Sequence, residues 1–268
     1  MNTAILKYYE IAAINTRETL TYTANFLSRT FIVLLRIWVY TKLYTLSFAS
    51  AHTASINGMS LSMVVWSIMF AQSFQMSTKS SMVIRQVDED IKNGVIAYSL
   101  NKPYSYVLFQ YFTHLGKMVP NLLFLVPVSC IMTMLFVGPL ALTPAALGAA
   151  AVLFLLGTTL DFLIAFLISL SAFWIEDATA FRWLFEKGQI VFGGQIVPLA
   201  LFPGVLRQIG ELLPFSQFYY SSSRMMVGYD PHLFLKYLAI QASWLLIFGV
   251  LVNYIFAKSI RYVSINGG

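Results

Sequence analysis

Apolar residues gather in six windows along the chain, at 24–48, 59–76, 118–137, 147–174, 178–201 and 233–256. Each is long enough to cross a bilayer as a helix, which takes about 20 residues. Between and before them the polar positions follow helical rather than random spacing. In 1–19, Lys7, Glu10, Arg17 and Glu18 oppose Ile5, Tyr8, Tyr9 and Ala12, the pattern of an amphipathic helix lying at an interface. In 82–98, Ile84, Val87, Ile91, Val95 and Tyr98 recur at spacings of three and four, with Arg85, Asp88, Glu89, Asp90 and Lys92 on the other side. That segment reads as one amphipathic helix too charged to enter a membrane. Pro103 then forces a bend, because the residue before proline is disfavoured in the helical region. After the fifth window Gly193, Gly194, Pro198, Pro203, Gly204 and Pro214 interrupt a stretch that stays apolar to Phe218, so a straight helix is excluded. The pattern there predicts a short re-entrant or interfacial helix over 203–213, with Arg207, Gln208 and Glu211 on its polar face, and a second over 217–227.

Composition places these windows in a membrane. Of 268 residues 58% are hydrophobic and only 10% charged, where a soluble domain carries about 25% charged residues. With a mean hydropathy of +0.72, a water-soluble enzyme is excluded, since it needs a polar shell over most of its surface. The expected fold is therefore an all-α membrane protein of six transmembrane helices in a single domain spanning 1–268. It has an N-terminal interface helix (1–20), a cytosolic segment between spans two and three (79–103) and a re-entrant segment between spans five and six (202–228).

The net charge of +6 sorts the loops. No basic patch with interleaved aromatics occurs, so no nucleic-acid partner is expected. Lys7, Arg17, Lys79, Arg85, Lys92, Lys102, Arg182, Lys258 and Arg261 fall on one side, whereas 49–58 and 138–144 contain no Lys or Arg. The positive-inside rule then puts both termini in the cytoplasm. Arg207, Arg224 and Lys236 oppose the rule without outweighing it. The first twenty residues lack the uninterrupted apolar stretch and small-residue cleavage site of a signal peptide, so the chain is expected to begin at Met1. Cys130 is the single cysteine, which excludes an intramolecular disulfide and a cysteine-based metal cluster.

The chemistry of known catalytic motifs is missing from the sequence. There is no phosphate-binding GxxxxGK[ST], no HExxH and no GxSxG, and His52, His114 and His232 are scattered. Neither a catalytic residue nor a metal or cofactor of the chain's own is predicted. What remains is charge inside the windows. Arg36 in the first and Asp161 in the fourth each cost about 2.5–3.5 kcal/mol to insert unless paired or hydrated. They sit at similar depth, so they are expected either to pair or to serve separately, with Asp161 lining a hydrated cavity, touching substrate or meeting another subunit. Arg182, Glu186 and Lys187 in the fifth window mark an entrance on the cytoplasmic side, with Arg182 and Glu186 at the i,i+4 spacing of a helical ion pair. Lys42 and Arg29 can reach opposite interfaces.

Several short strings, in order along the chain, resemble the permease subunit of type-2 ATP-binding-cassette (ABC) exporters, particularly bacterial drug-export permeases with six spans. They are Tyr22-Thr23-Ala24-Asn25-Phe26 entering span one, and the inner segment running from Asp90-Ile91-Lys92-Asn93-Gly94 through Tyr98-Ser99-Leu100-Asn101-Lys102-Pro103. The late strings are Gly193-Gly194-Gln195-Ile196-Val197-Pro198-Leu199, Phe202-Pro203 and Leu213-Pro214-Phe215, followed by the tail Arg261-Tyr262. The resemblance implies a transmembrane half-channel in the bacterial inner membrane. It would pair with a second permease, the same or different, and with two copies of a separate ATPase that bind ATP and magnesium. It also implies that the front helix is the interface helix and that 85–100 contains the coupling helix, with Arg85, Asp88, Glu89, Asp90 and Lys92 as contacts to the ATPase. The outer segment framed by Pro198, Pro203 and Pro214 would close the pathway. ATP-driven closure of the ATPases would push on the coupling segment and tilt spans one, two and five. The apolar, aromatic-rich bundle suits a lipophilic or amphipathic cargo such as a drug, peptide or lipid-like molecule. Two other classes remain open, a channel or secondary transporter using Asp161 as an ion site and a scaffold subunit.

Overall fold

The computed structural model describes residues 3–21, 24–175 and 178–266. Tyr22 and Thr23 of the first quoted string lie outside the described residues, as do the side chains of Asn25, Phe26, Arg261 and Tyr262. Twelve α-helices and one two-residue hairpin make up the described chain. Among the described residues four helical stretches are long and apolar enough to cross a membrane: Ser28–Ser50, Tyr106–Val137, Pro144–Phe173 and Pro231–Ile260.

Helix α1 (Thr3–Thr21) precedes α2 (Ala24–Ser50). The hairpin β1 (Ser55–Ile56) and β2 (Met59–Ser60) leads into α3 (Leu61–Thr78), where the Ser60 side chain caps the helix by accepting from the Met63 amide. Helix α3 is buried along most of its length. It ends at Lys79, which takes a left-handed conformation (φ 48°) and donates its amide to the Gln75 carbonyl. Helix α4 (Ser81–Lys92) begins at once and buries Val83, Ile84 and Val87. The amphipathic run expected as one helix over 82–98 breaks at Asn93 and Gly94. Its remainder is the short α5 (Val95–Leu100).

Helix α6 (Tyr106–Val137) starts twelve residues before the third apolar window, capped by Ser105. The extension exists because α1 covers it. Tyr8 stacks on Phe112 with ring centroids 5.2 Å apart, its hydroxyl accepts from the Ser105 amide, and Thr16 donates to the Gly116 carbonyl. The front helix therefore packs along the extension of α6. Helix α7 (Pro144–Ser169) is capped by Thr143, with proline favoured at its first position, and finishes in a 3-10 turn (Leu170–Phe173).

The fifth window departs most from expectation. Helix α8 (Thr179–Phe192) has 14 residues, roughly 21 Å of rise, and stops at Gly193. Gly194 then adopts φ +71°, which only glycine takes without strain. The chain continues through a 3-10 turn (Leu199–Leu201), α9 (Gly204–Leu212), α10 (Pro214–Phe218) and α11 (Tyr220–Val227). The helix expected over 217–227 is thus two helices meeting at Tyr219. Helix α12 (Pro231–Asn266) closes the chain, with Asp230 accepting from the His232 and Leu233 amides at its start.

Long-range hydrogen bonds fix the directions. Trp66 near the start of α3 donates to the Gly138 carbonyl after α6, so those two helices run antiparallel with the β-hairpin and the end of α6 at one pole. Asp90 of α4 accepts from Tyr106 and Gln110 at the other pole, 2.6 and 3.0 Å away. Helix α7 is the central strut, packing against α4, α10, α11 and α12.

Candidate functional site

Asp161, on the buried face of α7, is fully enclosed. A carboxylate there is tolerated only when its oxygens are hydrogen-bonded, and both are. The Tyr219 hydroxyl donates to Oδ2 at 2.5 Å and the Gln189 amide to Oδ1 at 2.6 Å. Gln189 also donates to the Ser80 hydroxyl at 3.1 Å, and Thr78 Oγ1 lies 2.8 Å from the Tyr219 oxygen. One side chain of α7 is thereby tied to α8, to the α10–α11 junction and to the α3–α4 break. Aromatic packing holds the donors in place. Phe185 of α8 meets Phe215 and Phe218 of α10 with centroids 6.1 Å apart, and Phe218 packs edge-on to Tyr219.

The backbone approaches closely to allow this. A Cβ on Gly157, one turn before Asp161, would fall 2.5 Å from the Gln217 carbonyl oxygen and 2.6 Å from that of Phe218. Glycine at 157 is what lets α10 reach the level of the carboxylate. Gln241 of α12 closes the same region from behind, donating to the Gln217 and Leu153 carbonyls.

Arg36 and Asp161 do not meet. Among the described residues no Lys or Arg lies within ion-pair distance of Asp161. Arg36 instead reaches Gln72 Oε1 at 3.4 Å and Met76 Sδ at 3.8 Å. The two residues end one polar chain: Gln72 donates to the Gln195 carbonyl (2.7 Å), and Gln195 donates to the Gln189 carbonyl (3.1 Å). Gln189 then reaches Asp161. A run of three glutamines spans the gap that a direct ion pair was expected to close, because the turn after α8 inserts between α2 and α7.

These glutamines were missed by attending to formal charge. Gln72, Gln189, Gln195, Gln217 and Gln241 are all buried. All but Gln217 stand as neutral polar residues inside the apolar windows, where an unpartnered amide also costs free energy, though less than a charge.

The other predicted sites are dispersed. Lys92 pairs with Asp88 at 2.8 Å on the surface of α4, and Arg85 and Glu89 are exposed. Asp90 is turned inward onto Tyr106 and Gln110 of α6, so its carboxylate does not present itself on the outer face of α4. On α8, Arg182 and Glu186 form no ion pair with each other, while the Lys187 ammonium sits 5.2 Å over the Trp183 ring. Pro198 precedes the 3-10 turn, Pro203 precedes α9 and Pro214 begins α10. Together they frame a segment anchored to its surroundings. Tyr44 donates to the Ile196 carbonyl, Asn57 donates to the Ala200 carbonyl and the Ala200 amide donates to Tyr220. At the end of α9, Glu211 accepts from Arg207 (2.9 Å) and Lys236 (2.6 Å). Burial alone would raise the Glu211 carboxyl, but these two donors hold it below its ordinary value.

Residues 34–267 match the family model described as ABC-2 family transporter protein. No curated protein matches the chain. The match takes in every element from within α2 to α12, including the Asp161 node and the segment between α8 and α12, and it carries with it a multi-pass membrane location and an ABC ATPase partner. The chain belongs to the ABC-2 transporter family, as a membrane permease component without an ATPase motif of its own.

Proposed function

We propose that the chain is the permease of an ATP-driven exporter that moves a lipophilic or amphipathic molecule out across the bacterial inner membrane. In this reading α2, α3, α6, α7 and α12 cross the bilayer with both termini in the cytoplasm, and the fifth crossing is α8, too short to span alone, together with the turn that carries the chain on to Phe202. The pole carrying α4 and α5 faces a pair of ATPases that bind ATP and magnesium, and a second permease completes the pathway. The segment from Pro198 to Val227 re-enters from the outer side and closes the route, with the prolines at 198, 203 and 214 setting its bends.

One observation carries the reading: the Asp161 node joins the α3–α4 break to the tip of that segment. A push on α4 from the ATPase side reaches Ser80 and Thr78 first, and these touch Gln189 and Tyr219. ATP can shift the permease between two states only if its ATPases contact those states differently. The exposed Arg85 and Glu89 on α4 are the residues assigned to that contact, whereas Asp90 is already engaged inside the chain. The engagement of both Asp161 oxygens weighs against an ion site there, and the scarcity of charge within the bundle supports an apolar cargo.

The test is reconstitution of the permease with its ATPase in vesicles loaded with a lipophilic fluorescent dye. ATP-dependent efflux is expected, and reversing Arg85 and Glu89 together (R85E/E89R) should lower permease-stimulated ATPase activity severalfold. Both side chains are exposed, so stability should move by no more than about 0.5 kcal/mol. Efflux that proceeds without ATP on an ion gradient, or unaltered coupling in the double variant, overturns the proposal.

A further inference from the structure

A cavity of about 310 Å³ opens between the end of α1, the start of α2, the α3–α4 break and the extension of α6. Its wall carries four cations, Arg29, Lys79, Arg85 and Lys117, against two carboxylates, Glu18 and Glu89. Arg29 is held by the Asn121 side chain. Among the described residues Lys79, Arg85 and Lys117 have no carboxylate within 4.0 Å. The wall thus carries two more cations than carboxylates, and like charges that converge without an ion-pair partner repel, a repulsion that a bound anion relieves. Burial, aided by the neighbouring Arg29 charge, brings the Lys79 ammonium down to about 8, as expected of a cation lacking its partner.

A second, independent feature points to a ligand. His114 is buried and lines the same cavity, yet among the described residues its Nε2 has no hydrogen-bond partner, and neither does the buried Thr113 hydroxyl beside it. Buried polar atoms are almost always satisfied. A group that accepts from imidazole and hydroxyl and also meets ammonium and guanidinium needs several anionic oxygens. Phosphate supplies them, and both Lys and Arg are suited to bind it.

We propose that this cavity is a binding site for a phosphate ester group, held by Lys79 and Lys117 with His114 and Thr113 as further hydrogen-bond partners. The ester is either the headgroup of an anionic membrane lipid or a phosphate carried by a soluble compound. The site touches the α3–α4 break through Lys79, so occupancy would brace the joint from which α4 departs. The inference needs only the membrane location given by the family, not the direction of transport.

The permease–ATPase complex is placed in nanodiscs of phosphatidylcholine alone or with phosphatidylglycerol, and retained lipid is counted by native mass spectrometry. In parallel, thermal unfolding in pure phosphatidylcholine is titrated with glycerol 3-phosphate and inorganic phosphate. Retention of phosphatidylglycerol that the Lys79 and Lys117 variants lose identifies a lipid headgroup, while stabilisation by glycerol 3-phosphate or inorganic phosphate identifies a soluble phosphate; either supports the site. Lys79→Gln and Lys117→Gln should each weaken the effective ligand roughly tenfold, the weight of one charge-assisted bond, and His114→Leu should also weaken it. Lys42→Gln, at the opposite pole, should leave it unchanged. Each variant is first required to co-purify with the ATPase at the wild-type ratio. If neither phosphatidylglycerol nor the soluble esters bind, or if Lys42→Gln lowers binding as much as Lys79→Gln and Lys117→Gln, the proposal fails.

Discussion

Replacing Tyr219 by Phe removes one oxygen from the interior and little volume. That oxygen donates to Asp161 Oδ2 at 2.5 Å and lies 2.8 Å from Thr78 Oγ1, so the substitution withdraws a donor from a buried carboxylate. A hydrogen bond to a charged group contributes about 1.5–3 kcal/mol, and the state of the permease that contains the contact should be destabilised by about that much. Asp161→Asn acts differently. In one orientation its carbonyl accepts from Gln189 while its NH2 donates to the Tyr219 oxygen, whose proton turns to Thr78, so what is lost is the negative charge rather than a partner. The two single variants and the double variant form a cycle, read by thermal unfolding of the purified permease and by transport-coupled ATPase activity. Once either partner is gone the other matters less, so a coupling energy of about 1 kcal/mol or more is expected. Additivity within about 0.5 kcal/mol, the behaviour of independent sites, would refute the idea that Asp161 and Tyr219 act as one node.

Two further expectations follow from the same geometry. Gly157→Ala forces a Cβ to within 2.5–2.6 Å of two carbonyl oxygens, and since backbone cannot yield as a side-chain tip can, overpacking should cost about 1–3 kcal/mol and lower the unfolding temperature; an unchanged value would mean α10 sits farther from α7 than described. Glu211 titrates below its ordinary value of about 4.3 because of Arg207 and Lys236, so its contribution is complete above that value and is lost as pH falls through the lower folded value. The unfolding temperature, followed below pH 5, should therefore fall more steeply in the wild type than in Glu211→Gln.

Much of the architecture could be read from residue order, for reasons visible in particular elements. Thr143 is a capping residue just ahead of the fourth apolar window, and α7 begins next to it; Ser60 stands at the start of the second window and caps α3. The interruptions at Pro198, Pro203 and Pro214 mark real bends. The fifth window misled because apolar composition continues past Gly193, and hydropathy does not distinguish a helix from a buried turn whose polar groups are satisfied by Tyr44, Asn57 and Tyr220. Helix α6 was read as too short because Tyr106, Gln110 and His114 are polar or ambiguous, and only the contacts with α1 and α4 make them interior. At the site, Asp161 stood out by its charge. Its partners did not, since Gln189 and Tyr219 lie 28 and 58 residues away and nothing local ties them to it.

The order in which the Asp161 partners are made bears on how the chain is built. Helix α7 leaves the ribosome before Gln189 and well before Tyr219, so its carboxylate must enter the bilayer with neither donor available. Insertion of a central aspartate costs about 2.5–3.5 kcal/mol, and about six leucine- or phenylalanine-like residues offset that. Helix α7 has that many in Leu153, Phe154, Leu155, Leu156, Leu160, Phe162 and Leu163. The apolar richness of α7 is thus a requirement of biosynthesis as well as of packing, and a nascent chain halted before Tyr219 would hold a carboxylate still waiting for its second partner.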